Sequence, residues 1–174
     1  MAQPVIPVKA KLFIGILTNS DVNLYKAERI LEKRFGRIDY CSMKMPFTHT
    51  EYYSSIGTNL FRIFFSFEKL IKREKIVKIK LYTNRLEKKL SGQDRRSINI
   101  DPGYLTLSNV FLASCKDFFH RMYISKGVYL ENEYRYVGRN LKPWDWTYPD
   151  YRKQEYIDYF LAMRRIYYKQ IRDR

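Results

Sequence analysis

KLFIGILT, from Lys11 to Thr18, is the stretch of sequence that decides the fold. A short apolar run of this kind is typical of a buried strand. Residues 1–9 before it contain Pro4 and Pro7, so we expect an extended lead-in there. After the strand, Asn19-Ser20-Asp21 offers the side chains that cap helices, and apolar residues follow at helical spacing until Gly36. The sequence therefore predicts a strand followed by a first helix.

The next segments continue the alternation of strands and helices. Residues 38–45 alternate in polarity and end at Pro46, which predicts a second strand. Residues 60–67 predict a third strand, and residues 68–90 predict a second helix from their apolar spacing. Residues 97–101 predict a fourth strand, which we expect to end at a Pro102-Gly103 turn. The order β-α-β-β-α is that of a ferredoxin-like core.

The remaining residues predict an extension of that core. Residues 119–124 and 128–137 flank the short loop Ser125-Lys126-Gly127, which is typical of a β-hairpin. Residues 153–172 carry an apolar stripe at helical spacing and predict a final helix. The sequence thus predicts an α+β fold: a ferredoxin-like core, a C-terminal β-hairpin and a final helix packed on a mostly antiparallel sheet. We expect one domain over residues 1–174, because no repeat or linker divides the chain.

Composition restricts the class of protein. Hydrophobic residues make up 45% and aromatic residues 17% of the chain, which predicts a packed core and excludes a disordered chain. Apolar runs are too short to cross a bilayer and no secretory signal is readable, so we expect a cytoplasmic protein with no membrane partner. Cys41 and Cys115 lack metal-ligand spacing, which favours two free thiols and no metal site.

The charge of the chain favours acidic partners without naming one. There are 33 Lys and Arg against 18 Asp and Glu, a formal charge of +15. Nine basic and two acidic residues lie between positions 69 and 90. A basic helix of this kind, with exposed aromatics such as Tyr52-Tyr53 and Trp144, would suit RNA or DNA. We favour the plainer alternative of a lysine-rich helix face in solvent.

Common catalytic and nucleotide-binding motifs are absent. The sequence contains no GxxxxGK[ST], GxGxxG, HExxH, GxSxG or paired CxxC motif. The sequence therefore predicts no particular cofactor and leaves open whether the protein is an enzyme.

Polar side chains that could form a site are concentrated between residues 99 and 131. Asn99 and Asp101 are two positions apart on a predicted strand, so both side chains lie on one face. Lys116 and His120 would share a side if that segment begins as a helix. Glu131 and Glu133 alternate along the second arm of the hairpin and share a face.

Each of these residues also has an ordinary structural interpretation. His120 beside Phe118 and Phe119 is typical of a structural histidine. Glu131 and Glu133 are typical of a solvent face with basic neighbours, and Asp101 before Pro-Gly is typical of a turn. On the second helix, Lys80, Asn84 and Glu87 recur along one side, which is also typical of a surface ion pair.

Seven segments of the chain are distinctive, and in order they are KLFIGIL, RFGRIDY, SFEKLI, IKLYTNRLE, INIDPGYLTL, KDFFHRMYISKGVYLE and WTYPDYR. Together they resemble an uncharacterised bacterial family known as a domain of unknown function, DUF4416. The resemblance covers nearly the whole chain, and it implies no activity. It does imply a set of shared positions: Glu68, Lys80, Asn84, Asn99, Asp101, Tyr104, Lys116, Asp117, His120, Arg121, Lys126, Glu131, Asp150 and Arg152. Ser55 and Ile56 depart from the acidic residue and methionine of the family pattern.

These observations lead to a first hypothesis with two open alternatives. We expect a domain that binds a small anionic or nucleotide-like ligand, with possible acid-base chemistry in one polar cleft. The acid-base candidates are Asp101, His120 and Glu131. The ligand-binding candidates are Lys80, Asn84, Asn99, Tyr104, Lys116 and Arg121. The alternatives are an RNA- or DNA-binding module that uses the basic helix, and a protein-interaction module without catalysis. The oligomeric state is left open.

Overall fold

Strands and helices fill most of the chain. The computed structural model describes residues 1–48, 53, 55–91 and 96–173, so Tyr52 lies outside the described residues. Within those ranges there are three helices, which are α1 (Asp21–Phe35), α2 (Ile76–Ser91) and α3 (Gln154–Arg172). The strands of the same ranges are β1 (Lys11–Thr18), β2 (Ile38–Cys41), β3 (Met45–Pro46), β4 (Phe61–Phe67), β5 (Ile98–Leu105), β6 (Asn109–Ser114), β7 (Met122–Ser125), β8 (Val128–Val137) and β9 (Asn140–Pro143).

One sheet contains all of these strands. Its order is β2-β4-β1-β5-β6-β8-β7, while β3 pairs with β4 and β9 pairs with β8. The paired strands are antiparallel throughout. The α+β class and the mostly antiparallel sheet are therefore confirmed. With nine strands among the described residues, the sheet is larger than the predicted ferredoxin-like core.

β1 lies at the centre of the molecule because both of its faces are covered. Ile14 and Ile16 pack in a core with α1 and α2. Phe13 packs in a second core with Phe64 and with Phe160 of α3. Every residue of β1 is buried, which explains why its sequence is apolar without alternation. The helices thus form a layer on each side of the sheet.

Local sequence signals set the limits of α1 as predicted. The Ser20 hydroxyl accepts a hydrogen bond from the backbone N–H of Asn23 at 3.2 Å, which caps the first turn. Gly36 follows the last turn with a φ of 98°, a conformation that glycine adopts without strain.

The predicted start of α2 is wrong by about two turns. Residues 68–72 are not helical, and α2 begins at Ile76 after a short 3-10 turn at Arg73–Lys75. Leu70 packs in the core on the α3 side, whereas Ile71 packs in the core on the α1 and α2 side. Neighbouring side chains such as these point to opposite sides when the backbone is extended. Packing of this segment into both cores therefore overrides its helix propensity.

The predicted Pro102-Gly103 turn is also wrong, because both residues lie inside β5. Pro102 pairs with Ile14 of β1, and the pairing of β5 with β6 is confined to residues 103–105 and 110–112. The missing N–H of proline therefore falls where β6 makes no ladder contact with β5.

The other predicted strands differ in detail. The second strand divides into β2 and β3, with a register shift in the pairing of β2 with β4. The sequence reading missed β6 and β9. The predicted hairpin is present as β7 and β8, and its loop holds Lys126 and Gly127 at positive φ, as tight hairpin turns require. The final helix is confirmed within one residue.

None of the helices in the described ranges is both long enough and apolar enough to span a bilayer.

Candidate functional site

A cavity of about 530 Å³ opens where β5 and β6 separate. The two strands pair only up to Gly103 and Leu112, and β6 then continues its pairing with β8. Asn99 and Asp101 of β5 line one side of the gap, and Ala113 and Ser114 of β6 line the other. The separation of two neighbouring strands thus creates a concave site beside the sheet.

α2 contributes one helical stripe to this cavity. Lys80, Asn84 and Glu87 recur at helical spacing, and all three line the cavity. The Lys80 ammonium donates to Asp101 Oδ1 at 2.8 Å, and both side chains are largely buried. The Asn84 amide donates to the Cys115 sulfur at 3.3 Å. The surface ion pair considered from the sequence is thus a charged wall of the cavity.

A hydrogen-bonded network fixes the polar groups around Glu87. The Ile100 backbone N–H donates to Glu87 Oε1 at 2.7 Å, and Arg96 donates to Glu87 Oε2 at 3.1 Å. Arg96 also donates to the Asn99 side-chain oxygen, and the Asn99 amide donates to Asp101. These contacts join α2 to β5 and hold the carboxylates in fixed positions.

Burial and ion pairing have opposite effects on the pKa values of the groups in this network. Burial alone would raise the pKa of Asp101, but the charge and hydrogen bond of Lys80 outweigh it and lower that pKa. Burial also acts against the ammonium of Lys80, but the charges of Asp101 and Glu87 outweigh it and raise the pKa of Lys80. Burial and the nearby Asp101 raise the pKa of Glu87. Lys80 and Asp101 therefore form an ion pair at neutral pH.

A second buried ion pair also lines the cavity. Arg62 of β4 and Asp150 both line the cavity, with 3.2 Å between Arg62 Nε and Asp150 Oδ2. The guanidinium carbon lies 5.2 Å from the ring centroid of Phe47 and 5.7 Å from that of Tyr151. Sequence analysis did not select Arg62. The signal for it was a charged residue within an apolar strand.

Arg121 is the centre of a separate buried cluster. Its Nε donates to Glu131 Oε2 at 2.7 Å, and both side chains are 1% exposed. His120 Nε2 lies 3.1 Å from Glu131 Oε1. The imidazole also stacks on Trp146, with 5.9 Å between ring centroids. The segment from Lys116 to His120 is not helical, so the predicted sharing of a helix side is wrong.

This cluster stands directly behind the cavity wall. Arg121 donates to the Tyr148 hydroxyl at 2.5 Å, to Ser114 Oγ at 2.9 Å and to the Lys116 carbonyl at 3.1 Å. Ser114, Lys116 and Tyr148 all line the cavity. Burial raises the pKa of Tyr148 to about 12, so its phenol keeps its proton. Arg121 thus orients three cavity-lining groups without lining the cavity itself.

The structure brings together five of the nine predicted site residues. The residues that line the cavity are Lys80, Asn84, Asn99, Asp101 and Lys116. His120, Arg121 and Glu131 lie in the cluster behind it, and Tyr104 lies in the core on the α1 and α2 side. The three acid-base candidates are therefore divided between two places.

The solvent-facing interpretation of Glu131 and Glu133 is wrong. Their exposed fractions are 1% and 0%, because β8 is covered on the face that carries both side chains. Burial first, and then the charges of Glu131 and Asp150, raise the pKa of Glu133 well above its ordinary value.

Metal binding has no obvious centre in the part of the chain that the structure describes. No three or more His, Cys, Asp and Glu side chains lie together there as a metal would require. Cys41 and Cys115 are free thiols and both are exposed.

Comparison with known proteins addresses the family of the chain. A family model described as "Domain of unknown function (DUF4416)" matches residues 8–167, nearly the whole chain. Searches against curated proteins and against solved structures gave no match. The family match confirms the resemblance seen in the sequence motifs, and the chain belongs to the DUF4416 family.

Proposed function

We propose that the chain binds a small nucleotide-like ligand, with a flat ring and an anionic group, in the cavity between α2, β5 and β6. The observation that supports this proposal is the composition of one cavity of about 530 Å³. Its size falls in the ordinary range of small-molecule sites. Its walls combine aromatic rings with charged groups from distant parts of the chain.

The aromatic walls favour a ring system as one part of the ligand. Phe47, Tyr53, Phe118 and Tyr148 line the cavity. Aromatic side chains stack on planar rings and bury much apolar surface at a small loss of side-chain entropy. The Tyr148 hydroxyl accepts a hydrogen bond from Arg121 and still has its own proton to donate to a ligand.

The charged walls favour a single anionic group as the other part. Of the described residues, four basic ones line the cavity, Arg62, Lys80, Arg96 and Lys116, against three acidic ones, Glu87, Asp101 and Asp150. Burial and the nearby Asp101 raise the pKa of Glu87, while its ion pair with Arg96 and the hydrogen bond from the Ile100 N–H act in the opposite direction. Asn84 and Asn99 add amide groups that can donate to or accept from a ring edge. The small excess of basic over acidic lining residues suits a ligand with one anionic group, such as a carboxylate or a phosphate monoester.

Binding is favoured over catalysis by the ionisation of Asp101. Of the three acid-base candidates, Asp101 alone lines the cavity. Efficient general bases have a pKa near the working pH, whereas burial fails to raise the pKa of Asp101 against its ion pair with Lys80. A carboxylate that is already paired with an ammonium is better suited to positioning a ligand than to exchanging a proton with it.

A thermal-shift panel of nucleosides, nucleoside monophosphates, sugar phosphates and carboxylic acids tests the proposal. We expect nucleoside monophosphates to raise Tm by about 5–10 °C when present at roughly one hundred times Kd. Cys115→Trp should abolish the shift, because Cys115 is exposed and lines the cavity. Cys41→Trp is the matched control, since Cys41 is also exposed but lies on β2.

A panel without any stabilising compound would contradict the proposal. So would a shift of equal size in Cys115→Trp, because the ligand would then occupy another site.

We also infer that the first part of the sheet is ferredoxin-like. With the short β3 left aside, β1, β2, β4 and β5 alternate with α1 and α2 as β-α-β-β-α-β, and their spatial order β2-β4-β1-β5 supports this inference. A cytoplasmic location remains a prediction from the sequence. A role in protein interaction finds some support in β7, whose Met122 and Tyr123 are exposed at the end of the sheet.

A further inference from the structure

A second concave surface lies between the C-terminal end of α1 and the N-terminal end of α2. It has a volume of about 540 Å³ and shares no lining residue with the cavity. We call it the basic groove. Its charged lining residues are Arg34, Lys69, Lys72, Lys75 and Lys78, with Glu74 as the acidic member. The five cations are all exposed.

Salt bridges distinguish the cations of the cavity from the cations of the basic groove. Among the described residues, none of the five takes part in a salt bridge. Arg62, Lys80 and Arg96 of the cavity, by contrast, are each paired with a carboxylate. The basic groove therefore concentrates positive charge that forms no salt bridge with the carboxylates of the described residues, and such a concave surface attracts polyanions.

The floor of the basic groove is aromatic and apolar. Phe35 and Tyr82 meet edge to face, with 5.7 Å between ring centroids, and both line the groove. The guanidinium carbon of Arg34 lies 5.4 Å from the centroid of the Tyr82 ring. Ile71 and Ile79 complete the floor. Cations along the rim above an aromatic floor form the arrangement that holds phosphates and unstacked bases together.

We propose that the basic groove binds single-stranded nucleic acid, with its lysines on the phosphates and its aromatic floor under a base. A concave surface with rings at its base suits a flexible strand, because a duplex keeps its bases stacked inside. An anionic bilayer presents a flat surface, and it would leave the rings at the base of the groove without contact. The proposal is independent of the ligand proposed for the cavity.

Fluorescence anisotropy with a labelled single-stranded oligouridylate tests the proposal. Affinity should fall steeply between about 50 and 200 mM KCl. The triple variant Lys72→Gln, Lys75→Gln, Lys78→Gln should bind at least tenfold more weakly. It should also lower the slope of log affinity against log salt by about 2, at roughly 0.7 for each lost phosphate contact.

The matched control removes the same charge from α3, as Arg165→Gln, Lys169→Gln, Arg172→Gln. These three residues are exposed and lie outside the basic groove. The control should keep most of the affinity and of the slope. Equal weakening in both triple variants would overturn the proposal, because net charge alone would then explain binding. No binding at low salt would overturn it as well.

Two further experiments distinguish binding of nucleic acid in the basic groove from binding to a membrane and from binding in the cavity. Vesicles of phosphatidylcholine with phosphatidylserine replace the oligouridylate in a sedimentation assay. Lysine-dependent binding to the vesicles without binding to the oligouridylate would overturn the proposal in favour of a membrane surface. Cys115→Trp should bind the oligouridylate like the parent chain, so failure at the cavity and failure at the basic groove remain distinguishable.

Discussion

Glu133 shows at the scale of one residue how burial changes the chemistry of a side chain. It lies in β8 with no exposed surface, close enough to Glu131 and Asp150 for their charges to act on it. Burial contributes most to the raised pKa of its carboxyl group, and these two neighbours add to the effect. The folded protein therefore keeps the proton of Glu133 at pH values where the unfolded chain releases it.

The stability of the protein should depend on this proton. The unfolded carboxyl ionises near its ordinary pKa of 4.5, whereas the folded carboxyl ionises at a much higher pH. Below the lower pKa both states are protonated, and above it the folded state binds more protons than the unfolded state. The free energy of unfolding should therefore decrease as pH rises through this window.

Glu133→Gln removes the titration and should raise the free energy of unfolding by the order of 1 kcal/mol near neutral pH. The gain should vanish at about pH 4.5, where the parent side chain is already neutral. Urea unfolding at the two pH values measures the difference. Glu155→Gln is the control, because Glu155 is exposed on α3. A Gln variant that is less stable than the parent at both pH values would contradict this account.

At the residue scale, sequence spacing predicted the polar residues that α2 and β5 contribute to the cavity. Lys80 and Asn84 recur on one helix side, and Asn99 and Asp101 recur on one strand face, so local periodicity was enough to group each pair. Arg62 and Asp150 are far apart in the chain, and their pairing depends on how β4 meets the segment before α3. No local pattern contains that information.

At the scale of elements, β5 explains why the cavity exists where it does. β5 lies against β1 along its whole length but against β6 only from Gly103 onward. At Gly103 the two strands and the ring of Phe13 come together so closely that a side chain has no room. A Cβ atom there would overlap Phe13 and the carbonyl oxygen of Phe111. Glycine is thus required for close approach.

Gly103→Ala should lower the free energy of unfolding by about 1–3 kcal/mol, because overpacking forces backbone and ring apart. Thermal unfolding measured by circular dichroism gives the change. Gly138→Ala is the control: an added Cβ there meets no atom within 4 Å, and its φ of +58° costs only local backbone strain. If Gly103→Ala is no more destabilised than the control, the close approach is not a constraint on the fold.

The same glycine shows why some elements escaped sequence analysis. Pro-Gly is a strong turn signal, but Pro102 pairs with β1 and Gly103 faces an aromatic ring, so tertiary contacts override it. Residues 68–72 likewise follow packing to two cores instead of helix propensity. β1 and α1 were predicted correctly, because in each of them the local pattern and the packing agree.

At the scale of the whole molecule, β1 connects the two cores. Ile14 packs with α1 and α2, while Phe13 next to it packs with α3. Successive side chains of β1 thus face different cores. A shift of the strand by one residue would place each side chain in the wrong core, so packing on both faces fixes the register of β1. A single domain remains a prediction, and the shared strand favours it. The cavity and the basic groove lie on this common frame at separate places.

Two cysteines allow the central claim, ligand binding in the cavity, to be tested in one sample. Cys115 lines the cavity, whereas Cys41 is exposed on β2. Although the residue is exposed, partial burial of its sulfur and the charge of Glu28 raise the pKa of Cys41 to about 11, so alkylation of Cys41 should be slow and should serve as an internal reference.

The most direct measurement is the rate of iodoacetamide alkylation at each cysteine, followed by mass spectrometry with and without a saturating nucleoside monophosphate. A ligand in the cavity covers Cys115, so we expect the rate at Cys115 to fall at least tenfold while the rate at Cys41 stays the same. An unchanged rate at Cys115 with every nucleoside monophosphate would contradict the proposed binding site.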